Sequence, residues 1–225
     1  MVAEHLLSHG YAVEALDLRG HGHSSGPRAT VADADEYIED LDALLLRVRS
    51  RNPGSRLFLL GHSMGGGVVL NYLVARRPSL DGVLLSGAGM LNPRPPVDPA
   101  APAPGPLPAS TVSRDPAVVA AYESDPLVYR GLPNPHRMQA SQRAYDRIQA
   151  GMHAIALPLL IMHGTADLLV PYQGSEQLFE VAASNDKTLR LYAGLYHEIL
   201  NEPERGLVLA DMLAWLDARS EPVPE

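Results

Sequence analysis

Arg56-Leu57-Phe58-Leu59-Leu60-Gly61-His62-Ser63-Met64-Gly65-Gly66-Gly67 is the stretch on which the reading of this sequence turns. Arg56–Leu60 is an apolar run of the kind that fills a strand buried on both faces, and Gly61 ends it. A helix is predicted to follow from Met64 to Arg76. Between strand and helix stands Gly-x-Ser-x-Gly, with Gly61, His62 and Gly65 around Ser63. A serine on so sharp a strand-to-helix turn occupies strained backbone, and glycines beside it leave room for close packing. A capping serine in a glycine-rich turn would carry the same letters; strand, turn and helix in succession favour a nucleophile.

The same alternation continues on both sides. Tyr11–Leu18 is apolar enough for a buried strand and is closed by Arg19-Gly20-His21-Gly22. From Asp33 the apolar residues fall at helical spacing: Tyr37, Leu41, Leu44 or Leu45, and Val48. Asp81–Ser86, Leu157–Met162 and Thr188–Tyr192 are further strands, and a last helix starts near Pro203. Strands separated by helices require right-handed crossovers, hence a mostly parallel sheet covered on both faces. The fold class is α/β. Residues 91–153 break the rhythm as an insertion, with residues 1–90 and 154–225 as the two parts of the core. Eight prolines lie within residues 93–108, which excludes a helix or central strand there. Short and long helices are predicted at Asp115–Tyr122 and Pro135–Ile148.

Composition narrows the function. The 225 residues are 46% hydrophobic and 20% charged, as in a globular protein with its own core. Cysteine is absent, which excludes disulfides, a thiolate nucleophile and cysteine-built zinc sites. Eighteen cationic residues against 26 acidic ones give −8 with no basic stripe, so nucleic acid is not an expected partner. No apolar run approaches the roughly 18 residues of a spanning helix, and the first residues lack the form of a signal peptide; a cytoplasmic location is expected.

A serine hydroxyl needs a base, and the base needs an orienting acid. In a sheet of this kind the two follow the serine, each just beyond a strand. Asp167, in His163-Gly164-Thr165-Ala166-Asp167, lies beyond Leu157–Met162; His197 lies beyond Thr188–Tyr192. His62 adjoins the nucleophile but points differently, His163 reads as structural, and Asp17 precedes the serine and reads as ordering its own loop. His21 and His23 lack the carboxylate or thiolate that would complete a metal site, so no metal is assigned.

Together with Asp17-Leu18-Arg19-Gly20-His21-Gly22-His23-Ser24, Ser124-Asp125-Pro126-Leu127, Ser113-Arg114-Asp115-Pro116 and Asn201-Glu202-Pro203-Glu204-Arg205, these motifs resemble the monoacylglycerol lipase family of serine hydrolases, its bacterial members nearest. The resemblance spans most of the chain. It implies an α/β-hydrolase fold, a triad of Ser63, Asp167 and His197, and a cap at 91–153. It also implies hydrolysis of monoacylglycerol to glycerol and fatty acid with no cofactor. The oxyanion donor would be the Met64 N–H.

The sequence departs from the family in two places. The proline-rich run replaces an apolar lid helix, which predicts transient membrane contact at most and a preference for soluble short or medium acyl esters. Other acyl esters and lysophospholipid are then alternative substrates. The family also has strands ahead of this chain's opening helix, one followed by a His-Gly loop that supplies the second oxyanion donor. A central strand would then be wanting between Tyr11–Leu18 and Arg56–Leu60, leaving two unpaired edges or forcing those neighbours together. On that expectation roughly 40 residues lie upstream, and the 225-residue chain is poorly stable and weakly active, or a relative reduced to a binding module.

Overall fold

The computed structural model describes residues 2–88, 107–131 and 135–220; the prolines from Pro93 to Pro106 lie outside them. Helix α1 (Val2–Ser8) opens the chain, and α2 (Asp35–Arg51), β1 (Phe58–His62), α3 (Met64–Arg76) and β2 (Gly82–Ser86) follow. Next come α4 (Pro116–Ser124) and α5 (Pro135–Gly151), with no strand among the described residues between β2 and β3 (Leu159–Gly164). The chain ends with α6 (Gln173–Val181), β4 (Lys187–Tyr192) and α7 (Arg205–Ser220).

The four strands form one sheet in the order β1-β2-β3-β4, every pair parallel. Alternation along each strand divides the core in two. Leu59, Val83, Leu85, Leu159 and Ile161 face one cluster with α2, α3, α5 and α6 residues. Leu84, Leu160 and Met162 face the other, with Met212, Trp215 and Leu216 of α7, and Leu6 of α1 packed against it. The sheet is therefore covered on both faces, as the alternation of elements predicts.

Local sequence explains the helix boundaries. Glu36 Oε1 accepts from the N–H groups of Ala32 and Asp33 at 2.8 and 3.0 Å, which ties down the chain ahead of α2. Tyr37, Ile38, Leu41 and Leu45 form its buried face, so Leu45 rather than Leu44 faces the core. Asp115 caps α4 by accepting from Ala117 N–H at 2.9 Å, and Pro116 takes the first helical position, where its missing N–H costs nothing. Helix α5 belongs to the main core: Ala140 and Ile148 are buried in the cluster it shares with α3.

Tyr11–Leu18 is the one strand expectation that fails. The segment joins no ladder, and none of its backbone N–H groups from Ala12 to Leu18 takes part in a hydrogen bond among the described residues. Tyr11 packs on one core cluster and Leu16 and Leu18 on the other, so the apolar side chains find cover without a paired backbone. Strand composition measures fit to a pleated, half-buried surface; it cannot supply the neighbouring strand. Strand β1 ends the sheet, pairing only with β2.

Trp215 closes the α7 face. Phe58 meets it edge-on with ring centroids 6.1 Å apart, and the Arg219 guanidinium lies 4.0 Å above its ring. A methyl group on Gly82 would come within 2.5 Å of the indole, so the tryptophan rests directly on the backbone of β2. Trp215→Ala is expected to cost about 3–5 kcal/mol, read from urea unfolding followed by circular dichroism.

Candidate active site

Ser63 has φ 50° and ψ −120°, backbone that a side-chain-bearing residue adopts only under constraint. The constraint is visible on both sides. Ser63 N–H donates to Ser86 O at 2.9 Å across to β2, and Ser63 O accepts from Gly67 N–H in the first turn of α3. Strand and helix meet there almost without clearance. A Cβ on Gly61 would lie 2.8 Å from Gly65 O and Gly66 Cα, and one on Gly66 would lie 2.2 Å from Ala88 Cβ. Gly65 has open space instead, so the close packing expected of both motif glycines falls on Gly61 and Gly66.

The loops beyond β3 and β4 are stitched together. Thr165 N–H donates to Tyr192 O at 2.9 Å, Ala166 N–H to Leu195 O at 3.0 Å, and Gly194 N–H to Thr165 Oγ1 at 3.0 Å. These bonds carry Asp167 and His197 to the carboxyl end of the sheet beside Ser63, where parallel sheets place their ligands. His197 Nδ1 lies 2.7 Å from Asp167 Oδ2, and His197 Nε2 lies 2.7 Å from Ser63 Oγ. An ionised carboxylate only accepts, so Nδ1 carries the proton and Nε2 presents a lone pair to the serine hydroxyl. The three residues singled out by order and spacing are in one hydrogen-bonded chain. The Met64 N–H heads α3 and takes part in no hydrogen bond among the described residues. It is therefore available to an oxyanion.

Burial alone would push the Asp167 carboxyl up. Donation from His163 and His197 and from the Val170 N–H outweighs it and holds the group well below the usual carboxylate range. His62 shows the opposite side of the site. Its ring is 4.8 Å from that of His197, and its Nδ1 is 3.1 Å from Ser86 Oγ. Burial first, and the neighbouring His197 second, push it down to about 4. His62 is thereby kept uncharged beside the His197 ring.

Two contributors escaped sequence reasoning. His163, read as structural, lies 3.0 Å from Asp167 Oδ2. Glu202, fully buried, accepts from Ser113 Oγ at 2.8 Å, Arg114 Nε at 2.5 Å and Tyr196 N–H at 3.1 Å, the last one residue before His197. Burial pushes Glu202 up, and these donors more than offset it, leaving the carboxyl low. Asp17 does order its loop: its Oδ2 accepts from His23 N–H at 2.8 Å, and its carbonyl accepts from Ser24 Oγ at 2.6 Å.

The glycine contrast is open to direct test: Gly61→Ala is expected to abolish soluble expression or ester turnover, whereas Gly65→Ala retains both. The second expectation concerns acid. His62 titrates near 6.5 when unfolded and about 4 when folded, so its share of stability is complete above pH 6.5 and lost as pH falls toward 4. For a half-buried ring that loss is of the order of 2 kcal/mol. A plot of melting temperature against pH should slope across this window and flatten in His62→Asn.

The sequence matches the family described as serine aminopeptidase, S33, over residues 1–204. A monoacylglycerol lipase of Mycolicibacterium smegmatis is 38% identical over 96% of this chain and 81% of its own length. The human monoglyceride lipase is 32% identical over 97% of this chain and 77% of its own. Among solved structures, the monoacylglycerol lipase of Paleococcus ferrophilus superposes with a TM-score of 0.84 at 29% identity, covering 97% of this chain and 88% of that one. With the parallel sheet and its helices on both faces, these likenesses establish an α/β-hydrolase, and the chain belongs to the monoacylglycerol lipase family of serine hydrolases.

Proposed function

We propose that this serine hydrolase cleaves monoacylglycerol to glycerol and a fatty acid with Ser63 as nucleophile, His197 as general base and acid, and Asp167 as the orienting carboxylate. The observation that carries the reading is the pair of 2.7 Å separations linking Ser63 Oγ, His197 and Asp167 at a strained turn. Ser63 Oγ attacks the ester carbonyl while His197 Nε2 takes its proton. Asp167, whose carboxyl is held low, stays ionised and compensates the imidazolium. The Met64 N–H meets the developing oxyanion. His197 then gives its proton to the departing glycerol oxygen, leaving Ser63 acylated. A water molecule, deprotonated by the same Nε2, releases the fatty acid and restores the hydroxyl. No step calls on a cofactor.

In this reading the cap is residues 91–153; its last helix, α5, packs on the main core, and Val112 and Ser113 are bonded to the segment that follows His197. Glu198 N–H donates to Val112 O at 2.8 Å, and Ser113 Oγ donates to Glu202 Oε1 at 2.8 Å. The monoacylglycerol lipases similar to this chain support the choice of glycerol as leaving group. Among the described residues no helix is long and apolar enough to cross a membrane.

The test compares the purified chain with Ser63→Ala on monoacylglycerols of several acyl lengths, p-nitrophenyl esters, lysophospholipid and an aminoacyl p-nitroanilide. Monoacylglycerol should give the highest kcat/KM, and Ser63→Ala should lose at least ~10³-fold. Turnover that survives the substitution would overturn the triad, and faster anilide cleavage would replace the ester by an amide.

A further inference from the structure

His163 is a fully buried imidazole at the end of β3 to which the reaction scheme assigns no step. Its Nε2 lies 3.0 Å from Asp167 Oδ2 and 3.0 Å from the Val170 carbonyl oxygen. Both neighbours are acceptors only, so Nε2 carries a proton and donates it. On the far side of the ring, Nδ1 lies 2.7 Å from Ser175 Oγ, in the first turn of α6. The ring is thus tied at both nitrogens and has no freedom to turn away from the carboxylate.

The consequence lies in how Asp167 distributes its acceptor sites. Oδ1 receives Leu169 N–H at 2.8 Å and Val170 N–H at 2.9 Å. Oδ2 receives His197 Nδ1–H at 2.7 Å and His163 Nε2–H at 3.0 Å. Two imidazoles therefore share one oxygen, and each donor reduces the charge available to the other. We infer that His163 is a positioning residue of this site: it fixes the rotation of the Asp167 carboxylate and moderates the charge that Oδ2 presents to His197. The inference rests on the triad reading given above.

The titratable groups that meet here come from three strand ends. His62 closes β1, His163 is the penultimate residue of β3 with Asp167 just beyond, and His197 follows β4, while Ser175 of α6 and Ser86 of β2 are uncharged. Removing the His163 donor leaves His197 as the sole partner of Oδ2. The carboxylate then gains a rotation, which slows turnover, and holds the His197 proton more firmly, which moves the acid limb of the pH profile upward.

The experiment compares His163→Leu and His163→Gln in the full chain. Turnover of a soluble p-nitrophenyl ester is followed from about pH 5 to about pH 9, and the low-field proton between His197 and Asp167 is followed by NMR without substrate. His163→Leu should lower kcat ~10-fold with KM within about twofold, raise the acid-limb midpoint by about half a pH unit, and shift the low-field proton. His163→Gln, whose amide nitrogen reaches the same place, should hold kcat within about threefold and leave limb and resonance near their wild-type positions. If His163→Leu does not fold, His163→Asn stops short of Asp167 and should give the same displacements. An unmoved acid limb and an unmoved resonance, with both variants losing the same melting temperature and kcat, would reduce His163 to packing and overturn the inference. Because the resonance is read without substrate, a chain that hydrolyses nothing overturns the proposed function and still decides this one.

Discussion

The site depends on one buried carboxylate. Asp167 has a side chain with no exposed surface, and an ionised group in such a place is tolerable only when every lone pair meets a donor. Two backbone N–H groups fill one oxygen and two imidazoles the other. That arrangement dictates what surrounds it. The chain after β3 must turn tightly enough for Leu169 and Val170 to reach back. The loop after β4 must also come close enough for His197 to reach across. At Gly164 a Cβ would stand 2.3 Å from Leu195 O, so the absence of a side chain at that position is what lets the two loops touch.

Much of this was legible in the sequence because it is written in local patterns. Arg56–Leu60 announces a buried strand, found at Phe58–His62, and β2, β3 and β4 lie within a few residues of their expected places. Ser63, Asp167 and His197 could be named from their order along the chain and their position after strands. What could not be read depends on neighbours distant in sequence. Tyr11–Leu18 has the composition of a central strand, but pairing is a property of two segments and the second is not beside it. His163 and Glu202 carry no local signal of their task. Their roles come from Asp167 in one case and from Tyr196, Ser113 and Arg114 in the other.

Glu202 extends the same logic away from the reacting atoms. A fully buried carboxylate is a liability unless its partners are fixed, and fixing them joins two parts of the chain. Arg114 contributes both its backbone N–H and its Nε to Glu202, and the next residue, Asp115, is the cap of α4. Tyr196 contributes the N–H that precedes His197. The beginning of α4 and the loop holding the imidazole are thus bonded to the same two oxygens.

Histidine charge shows why the imidazoles need different surroundings although they are crowded together. In the proposed reaction His197 accepts a proton, and Asp167 compensates it. His62 is the nearest ring, 4.8 Å away, and has a hydroxyl where His197 has a carboxylate. A hydroxyl partner gives no charge to offset burial, so burial and the neighbouring His197 push His62 down to about 4. His163, on the other side, meets the same carboxylate oxygen as His197. His62 is held uncharged on one side and His163 shares the carboxylate oxygen on the other, so the charge around His197 depends on three side chains rather than on Asp167 alone.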